Sequence, residues 1–508
     1  QASTLDNGYI LFAPISSTTT YLIDACGKQV HTWNSNYKPG QAVYLLEDGT
    51  LLRSGNKNNT TFNAGGKGGI IEKIDWNGNV LWSYTISDTN QCQHHDIKAL
   101  PNGNVLVISW ERKTKAQAIA AGRYPSLCPN YLWSEKIIEL QASGVNGANI
   151  VWEWHLWDHL VQDYDNTKAN YGVVAANPNK VNINFNNSAT QSDWIHLNAI
   201  DYNATLNQIL LSSHAFSEVW IIDHSTTTAE ASSGTGGNTN HGGDLLYRWG
   251  NPSAYSNAAP QQFFGQHSAH WLNDAGEILV FNNGLNRTGG NYSSVDKIQT
   301  PLNGLLYNAS LPFLPATSTI LYNANNVHNY YAQNISGAQV LDSKSLLLCN
   351  GPAGAFMTVD SNENTLWAYT SPVYNGGILA QNTTPTQNQV FRAAYYDKNY
   401  AGFSGKTLLT TTTIENTNTL SANCILEPNL VNSLTREEVN VYPNPFTSMV
   451  HFNNEAEIQY YCLYSILGNK IAEGTQPNNF NWENLKSGVY LLQLRSSRGT
   501  AVVKLEKQ

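Results

Sequence analysis

Residues 74–82 read Ile-Asp-Trp-Asn-Gly-Asn-Val-Leu-Trp, and this stretch decides the fold because its pattern recurs along the chain. The Asn-Gly pair lies between apolar residues, and both of its residue types accept the positive φ angles of a tight hairpin turn. Hairpins repeated every few tens of residues, without a helical period, predict a β-propeller. Related turn or tryptophan segments occur at 22–33, 46–52, 100–106, 221–249, 273–279 and 359–367.

Six repeat units can be counted, and each is expected to form one four-stranded blade. A strand-like segment at 388–396 is expected to return to the first blade and close the ring. We therefore predict an all-β, six-bladed β-propeller over residues 1–415. The units lie near 8–35, 41–86, 93–156, 194–250, 266–325 and 335–371, and the insertions that predict long loops lie at 111–135, 158–192, 225–244 and 286–326.

The composition fits this class and excludes others. Aromatic residues make up 11% of the chain, charged residues only 13%, and the formal net charge is -9. Nucleic-acid binding rewards clustered Lys and Arg, which this sequence lacks, so we expect no nucleic-acid partner. No segment approaches the ~20 apolar residues that span a bilayer, so we expect no membrane span.

Histidines open three of the repeat units at the same place, just before an innermost strand. They are His95, His196, and the pair His267 and His270, and His214 follows one strand later. The starts of inner strands converge at one mouth of a propeller channel, so we predict that these side chains meet in one axial cavity. Structural roles are expected for the remaining solitary histidines His31, His224, His241, His328 and His451.

The motifs around these histidines resemble the aryl-sulfate sulfotransferase family over most of 8–405. The family transfers a sulfuryl group between phenols through a sulfohistidine and uses no nucleotide sulfate donor, so we expect no cofactor. The resemblance thus implies an aryl sulfate and a phenol as substrates. The motifs that carry it are His-His-Asp-Ile (94–97) before Pro-Asn-Gly-Asn (101–104), Asp-Trp-x-His-x-Asn (193–198), Gly-Gln-His-x-Ala (265–269), Phe-Asn-Asn-Gly (281–284), Ile-Ser-Gly-Ala-Gln (335–339) and Phe-Arg-Ala (391–393).

The resemblance also implies roles for individual residues. His267 stands where the family has the histidine that accepts the sulfuryl group, and His95 and His196 stand where sulfate is bound and protons are handled. The family has an arginine in a Ser-Ser-Arg motif, whereas this chain reads Ser-Ser-His at 212–214. The residues then expected to bind substrate are Asn198, His214, His270, Arg287 and Arg392, of which either arginine could replace the missing one.

The chemistry suits these residue types, but two other functions are open. A neutral imidazole is a good nucleophile near pH 7, and a protonated one can donate to a departing phenolate. The same histidines could instead bind a divalent metal in a propeller without transferase activity. Joint ligation by His267 and His270 is disfavoured if they alternate along a strand. A surface adhesin or carbohydrate-binding module is the third possibility.

The end of the chain carries a separate group of marks, which resemble the type A C-terminal sorting domain of the bacterial type IX secretion system. The resemblance implies export through the periplasm and outer membrane, to the cell surface or the medium. It also implies that the type IX translocon and an outer-membrane shuttle protein bind residues 437–508. The marks are Pro443-Asn444-Pro445, Gly468-Asn469-Lys470, Ser487-Gly488-Val489-Tyr490 and a basic last strand.

Two further expectations accompany export. Residues 437–508 are predicted to form a small immunoglobulin-like β-sandwich after a polar linker, 416–436, and Gln1 is expected to follow a removed signal peptide. The six cysteines could oxidise outside the cell, with Cys92 and Cys128 as the most local candidate pair, or remain buried thiols.

Overall fold

The computed structural model divides the chain into two compact units, 1–419 and 420–508. The boundary falls inside the predicted linker 416–436, which lies outside the described residues, so the predicted domain limits stay a prediction. The structure describes residues 5, 8–308, 310–325, 327, 329–341, 343–415, 441–452, 458–465, 470–475, 480–496 and 499–508.

The described part of the first unit contains six four-stranded antiparallel sheets, one for each predicted repeat. Their strands are β1 (Gly8–Pro14), β2 (Thr19–Ile23), β3 (Gln29–Asn34) and β30 (Val390–Asp397) in sheet 1; β4 (Pro39–Leu45), β5 (Leu51–Asn56), β6 (Gly69–Ile74) and β7 (Val80–Thr85) in sheet 2; β8 (Gln91–Ala99), β9 (Val105–Thr114), β10 (Tyr131–Ser143) and β11 (Gly147–His155) in sheet 3; β14 (Leu197–Asn203), β15 (Gln208–Ser213), β16 (Glu218–Asp223) and β17 (Tyr247–Trp249) in sheet 4; β18 (His267–Trp271), β19 (Glu277–Asn282), β20 (Ser294–Gln299) and β23 (Thr319–Tyr322) in sheet 5; and β24 (Gly337–Val340), β25 (Leu346–Asn350), β26 (Ala355–Val359) and β27 (Thr365–Thr370) in sheet 6.

The sheets are arranged in a ring. Their innermost strands, β30, β4, β8, β14, β18 and β24, contact one another in that order, and β24 contacts β30. An apolar cluster fills each gap between adjacent sheets, including the gap between sheets 6 and 1, where Phe12 packs on Phe356. Sheet 1 joins both ends of the unit, because Gly8 pairs with Asp397 across β1 and β30. The predicted all-β, propeller-like class is therefore confirmed.

The repeated tryptophan has a physical role in this ring. In five sheets its buried indole donates a hydrogen bond to the next sheet or to a loop next to it, so each indole ties neighbouring sheets together while it fills the gap between them. The bonds run from Trp33 to the Asp75 carbonyl, from Trp82 to that of Gly147, from Trp152 to the Thr226 hydroxyl, from Trp249 to the Pro315 carbonyl and from Trp367 to that of Ala25, at 2.7–3.1 Å.

A second repeated feature lies at the start of the inner strands. Four of them lose regular register there, and a non-glycine residue near the start takes a positive φ angle in five. Bulges of this kind bend a strand and redirect its side chains, and such strain is concentrated at functional sites. The residues are Gln41, His95, His196, Ser268 and Ser336.

The predicted insertions contain short elements. Helix α1 (Lys115–Ala120) and helix α2 (Thr228–Ala231) each begin after a threonine whose side chain forms a capping box. Two two-stranded pairs accompany them, β12 (Leu160–Val161) with β13 (Val181–Asn182) and β21 (Leu302–Asn303) with β22 (Leu306–Tyr307). A third pair, β28 (Val373–Tyr374) with β29 (Gly377–Ile378), follows sheet 6 outside the predicted insertions. Among the described residues, no helix has the length and apolar character needed to cross a membrane.

The second unit is also built from strands around its own apolar core, which includes Phe446, Trp482 and Leu492. Its described strands are β31 (Val441–Tyr442) and β32 (His451–Phe452) in one pair, and β33 (Ile458–Ser465), β34 (Lys470–Gly474), β35 (Gly488–Ser496) and β36 (Gly499–Lys507) in a sheet of order β34-β33-β35-β36.

The candidate disulfide between Cys92 and Cys128 is wrong, because both are free and buried. Their thiols belong to different apolar clusters: Cys92 packs with Phe62 and Trp110, whereas Cys128 packs with Leu132 and its neighbours. The nearness of the two cysteines in sequence was therefore no guide to pairing. Cys26 is disulfide-bonded instead.

Candidate active site

The four histidines that were predicted to meet form one continuous line of ring contacts. The ring centroids of His95 and His196 lie 4.6 Å apart, those of His196 and His214 5.3 Å, and those of His214 and His267 5.3 Å. The residues come from sheets 3, 4 and 5: His95, His196 and His267 lie at the bulged starts of inner strands, and His214 follows β15, where its backbone N–H donates to the His196 carbonyl. We call these four side chains the histidine cluster.

His267 is held with one ring nitrogen turned away from its hydrogen-bond partners. Its Nδ1 lies 2.8 Å from Asn283 Oδ1 and 3.2 Å from the Gly265 carbonyl oxygen. Both partners are acceptors, since the Asn283 amide group donates to the carbonyls of Ala332 and Ile335. Nδ1 therefore carries the proton, and Nε2 keeps its lone pair. Burial, followed by the neighbouring His214, holds the pKa of His267 well below its usual value.

His196 is the member of the cluster that favours the charged form. Its Nδ1 lies 2.5 Å from Asp193 Oδ2, and the other oxygen of Asp193 accepts the indole N–H of Trp110. Burial acts to lower the pKa of His196, but the Asp193 carboxylate outweighs burial and raises it. His214 has no such partner, so burial and the neighbouring His196 lower its pKa to about 4. His196 is thus the member of the cluster that most readily takes up a proton.

We predict that Asp193→Asn lowers the pKa of His196 and destabilises the fold mainly at low pH. A histidine whose pKa is raised by folding adds stability below its unfolded pKa of about 6.5, and this contribution disappears as the pH rises through the folded pKa. Loss of the buried charged hydrogen bond should cost about 1–3 kcal/mol near pH 5 and clearly less near pH 9. Denaturant unfolding at both pH values measures it. The exposed-residue variant Asp163→Asn serves as control, and an equal loss at both pH values would contradict the prediction.

His95 is supported from behind by two residues that the sequence analysis did not assign. Its Nδ1 lies 2.9 Å from Nδ1 of His94, and Nε2 of His94 lies 2.8 Å from Glu135 Oε2. The His94 ring stacks on Trp110 at 3.8 Å, and Trp110 is the cross-strand partner of Glu135. His94 was visible in the motif at 94–97, but Glu135 lies two strands later and carries no sequence signal.

A glycine makes the space for the His95 ring. A Cβ on Gly66 would lie 1.9 Å from Cε1 of His95, and Gly66 has a φ of +79°. Its carbonyl accepts the backbone N–H of His95 at 2.7 Å. The loop of Gly66 and the bulge of His95 therefore fit only while residue 66 has no side chain.

We predict that Gly66→Ala displaces the His95 ring and lowers the free energy of unfolding by about 1–3 kcal/mol, because a strained φ angle is added to the clash. The neighbouring variant Gly65→Ala is the matched control, since a Cβ there meets nothing within 4 Å. Thermal or denaturant unfolding compares the two variants. Equal stabilities would show that the loop moves freely and does not fix His95.

The two arginines that were predicted to bind substrate have their partners outside the histidine cluster. Arg392 pairs with Asp96 (2.7 Å) and with the Tyr44 hydroxyl (3.1 Å) in the inner ring. Burial acts to lower the pKa of Arg392, but its interactions with Asp96 and Tyr44 outweigh burial and raise it. Arg287 contacts Ser294 and lies over the rings of Tyr292 and Phe264. Among the described residues, neither arginine forms a hydrogen bond or ion pair with the histidine cluster, although the charge of Arg392 acts to lower the pKa of His267.

Asn198 and His270 complete the predicted set. Asn198 donates to the Gln266 carbonyl at 2.7 Å, which fixes the residue before His267, while its own buried Oδ1 has no hydrogen-bond partner. Joint ligation by His267 and His270 was disfavoured only if they alternate along their strand, and they do not. The bulge between them places their partners, Phe281 and Leu279, two residues apart on β19 and hence on one face.

Metal binding was the alternative use of these histidines. Within the part of the chain that the structure describes, no three His, Cys, Asp or Glu side chains are grouped so that they could hold a metal ion. Metal loading of the histidine cluster stays a prediction. Of the histidines expected to be structural, His31 stacks on Trp76 and His224 binds Glu139 and Asn207, whereas His328 lies outside the described residues.

A cavity of about 570 Å³ is lined in part by Gly66, the residue whose carbonyl accepts the backbone N–H of His95. Its lining includes Lys38 and Lys67 and no Asp or Glu. It is otherwise rich in amide side chains, including Gln41, whose buried Oε1 has no hydrogen-bond partner. In a chain of net charge -9, this lining favours an anionic ligand.

Comparison with protein families gives two matches. The family model described as arylsulfotransferase (ASST) matches residues 7–399, and the model described as secretion system C-terminal sorting domain matches residues 440–508. No curated protein matches the chain.

The similarity of this chain to solved structures is distant. A protein of unknown function from Bacteroides caccae is 12% identical, with 77% of this chain and 100% of that chain covered and a TM-score of 0.43. A putative 6-phosphogluconolactonase from Bacteroides fragilis is 10% identical, with 78% and 100% covered and a TM-score of 0.37. Virginiamycin B lyase from Staphylococcus aureus is 11% identical, with 74% and 88% covered and a TM-score of 0.35.

Proposed function

This chain belongs to the arylsulfotransferase family, and from that premise we propose that it transfers a sulfuryl group from an aryl sulfate to a phenol through a sulfohistidine at His267. Its sorting domain directs export by the type IX secretion system. We propose that residues 437–508 bind the type IX translocon and an outer-membrane shuttle protein.

The observation that carries the proposal is the fixed tautomer of His267. With the proton held on Nδ1 by Asn283 and Gly265, Nε2 keeps a lone pair within a line of imidazoles. A buried histidine with a low pKa stays neutral near pH 7 and is therefore ready to act as a nucleophile.

In the first half-reaction, Nε2 of His267 attacks the sulfur of the aryl sulfate. The N–S bond forms as the S–O bond to the aryl group breaks, and the bonding electron pair leaves on the phenolate. The phenolate takes a proton from His95 or His196. The positive charge that develops on the sulfated ring is stabilised by the acceptors on its Nδ1–H, Asn283 Oδ1 and the Gly265 carbonyl.

The second half-reaction reverses these steps with a new phenol. One of the same two histidines takes the phenolic proton, the phenolic oxygen attacks sulfur, and the electron pair of the N–S bond returns to Nε2 of His267. Sulfuryl transfer resembles phosphoryl transfer in its loose, highly charged transition state, so a fixed cation nearby is valuable. The imidazolium of His196, paired with Asp193, supplies that cation.

Intact mass spectrometry tests the proposal. The protein is incubated with 4-nitrophenyl sulfate and analysed without acid treatment, because sulfohistidine is labile. We expect the gain of one sulfuryl group, which is lost when phenol is added. Release of nitrophenol without a mass gain would indicate direct transfer or hydrolysis, and no release from any aryl sulfate would contradict the proposed activity.

A further inference from the structure

Three buried titratable groups form an unbroken chain behind the histidine cluster. Glu135 Oε2 lies 2.8 Å from Nε2 of His94, and Nδ1 of His94 lies 2.9 Å from Nδ1 of His95. The side chains of Glu135 and His94 are both 0% exposed. The second oxygen of Glu135 accepts the backbone N–H of Leu197 at 3.0 Å, so the carboxyl group also fixes the residue after His196.

The surroundings of these three groups disfavour the charged forms of Glu135, His94 and His95. Burial, assisted by Asp193 and Glu111, raises the pKa of Glu135 well above its usual value, although the Leu197 N–H acts the other way. Burial and the charge of His196 hold the pKa values of His94 and His95 well below theirs. Structural packing alone does not need a carboxyl group and two imidazoles in a closed apolar pocket beneath Trp110.

The hydrogen-bond geometry allows two proton arrangements. In the first, Glu135 is protonated and donates to His94 Nε2, His94 Nδ1–H donates to His95 Nδ1, and His95 Nε2 carries a proton toward the cluster. In the second, Glu135 is a carboxylate, His94 donates from Nε2, His95 donates from Nδ1, and His95 Nε2 has a free lone pair. The two arrangements differ by one proton at His95 Nε2.

We propose that Glu135 and His94 form a proton relay that makes His95 the acid and base of the reaction, while His196 stays protonated on Asp193 as a fixed cation. This inference rests on the proposed sulfuryl transfer. His95 is then the catalytic residue that meets the phenolic oxygen, and His94 and Glu135 act through it.

Each half-reaction moves one proton along the relay. When the phenolate leaves, it takes the proton of His95 Nε2. The proton on His94 Nδ1 shifts to His95 Nδ1, that of Glu135 shifts to His94 Nε2, and the negative charge ends on Glu135. When the acceptor phenol attacks, its proton enters at His95 Nε2 and the shifts reverse. The negative charge that the phenolate loses on protonation thus ends on Glu135, which His94 separates from His95.

The variant Glu135→Gln tests the relay, because glutamine keeps the shape and the Leu197 contact but cannot pass a proton. Single-turnover sulfation of His267 is measured with phenyl sulfate, whose phenolate needs a proton, and with 4-nitrophenyl sulfate, whose phenolate leaves without one. We expect the rate with phenyl sulfate to fall by roughly 10- to 100-fold and the rate with 4-nitrophenyl sulfate by less than about threefold. Asp193→Asn should slow both donors alike, and Glu230→Gln, in the capping box of helix α2, should slow neither, because glutamine can keep that capping box.

Equal slowing of both donors by Glu135→Gln would overturn the relay, because it would assign Glu135 a purely structural role. A second measurement does not depend on turnover. In protein with 15N-labelled histidine, the side-chain nitrogens of His94 and His95 should change tautomer together in one titration as the pH is raised, and stay fixed in Glu135→Gln. Titration of His95 without His94 would also overturn the relay. Absence of sulfation by both donors, with the joint titration present, would instead contradict the proposed transferase function.

Discussion

The variant His267→Asn is expected to lose covalent sulfation entirely and turnover by roughly 10⁴-fold or more, as enzymes do when the nucleophile is removed. The fold should survive the change. The asparagine amide can donate to Asn283 Oδ1 or the Gly265 carbonyl in place of the His267 Nδ1–H, so no buried acceptor is left without a partner. We expect the free energy of unfolding to change by about 1 kcal/mol or less.

Intact mass after incubation with an aryl sulfate, together with steady-state phenol release, measures the effect. His241→Asn is a suitable control, because His241 binds the Thr239 carbonyl in an inserted loop away from the cluster. A full burst of phenol release from His267→Asn would assign the nucleophile to another residue, and collapse of the fold would give His267 a structural role as well.

Deletion of the residues after about Thr435 is expected to abolish export while leaving a folded first unit in the periplasm. The matched sorting domain begins at residue 440, and the division into compact units falls at 419 and 420. Each unit has its own apolar core, so the first should fold without the second. The secreted fraction should therefore fall to background.

The secreted and periplasmic fractions are compared by immunoblot, and the truncated protein is checked by thermal unfolding and by sulfation of His267. A chain with the second unit of an unrelated type IX cargo in place of residues 437–508 is the control, and it should be exported again. Normal secretion of the truncated chain, or failure of the first unit to fold, would show that this view of the C-terminus is wrong.

The repeat architecture was accessible from sequence because its determinants are local. An Asn-Gly turn followed by a tryptophan, as at 74–82, specifies a hairpin and an indole for the gap between sheets. The predicted unit 41–86 is sheet 2, from Pro39 to Thr85, and the predicted returning strand 388–396 is β30, Val390–Asp397. The inserted segments were harder, and helices α1 and α2 inside them were not foreseen.

The site was only partly accessible, because its supporting groups are joined in space and not in sequence. His95, His196, His214 and His267 could be selected from their shared place in the repeats. Asp193 stands three residues before His196, and a carboxylate at that spacing was a usable signal that was not used. Glu135 comes from the third strand of its sheet, and its contact with His94 depends on cross-strand register, which the sequence alone does not give.

The joining of β1 and β30 in sheet 1 determines the order in which the molecule can mature. Gly8 emerges from the ribosome first among the paired residues, but its partner Asp397 is made only after nearly the whole first unit. Until then this edge of β1 is unpaired, and among the described strand pairings of the unit this one closes the longest stretch of chain and so has the highest cost in chain entropy. A chaperone that binds the nascent chain before transport would therefore meet an unpaired edge of β1, which becomes paired only when β30 has been synthesised.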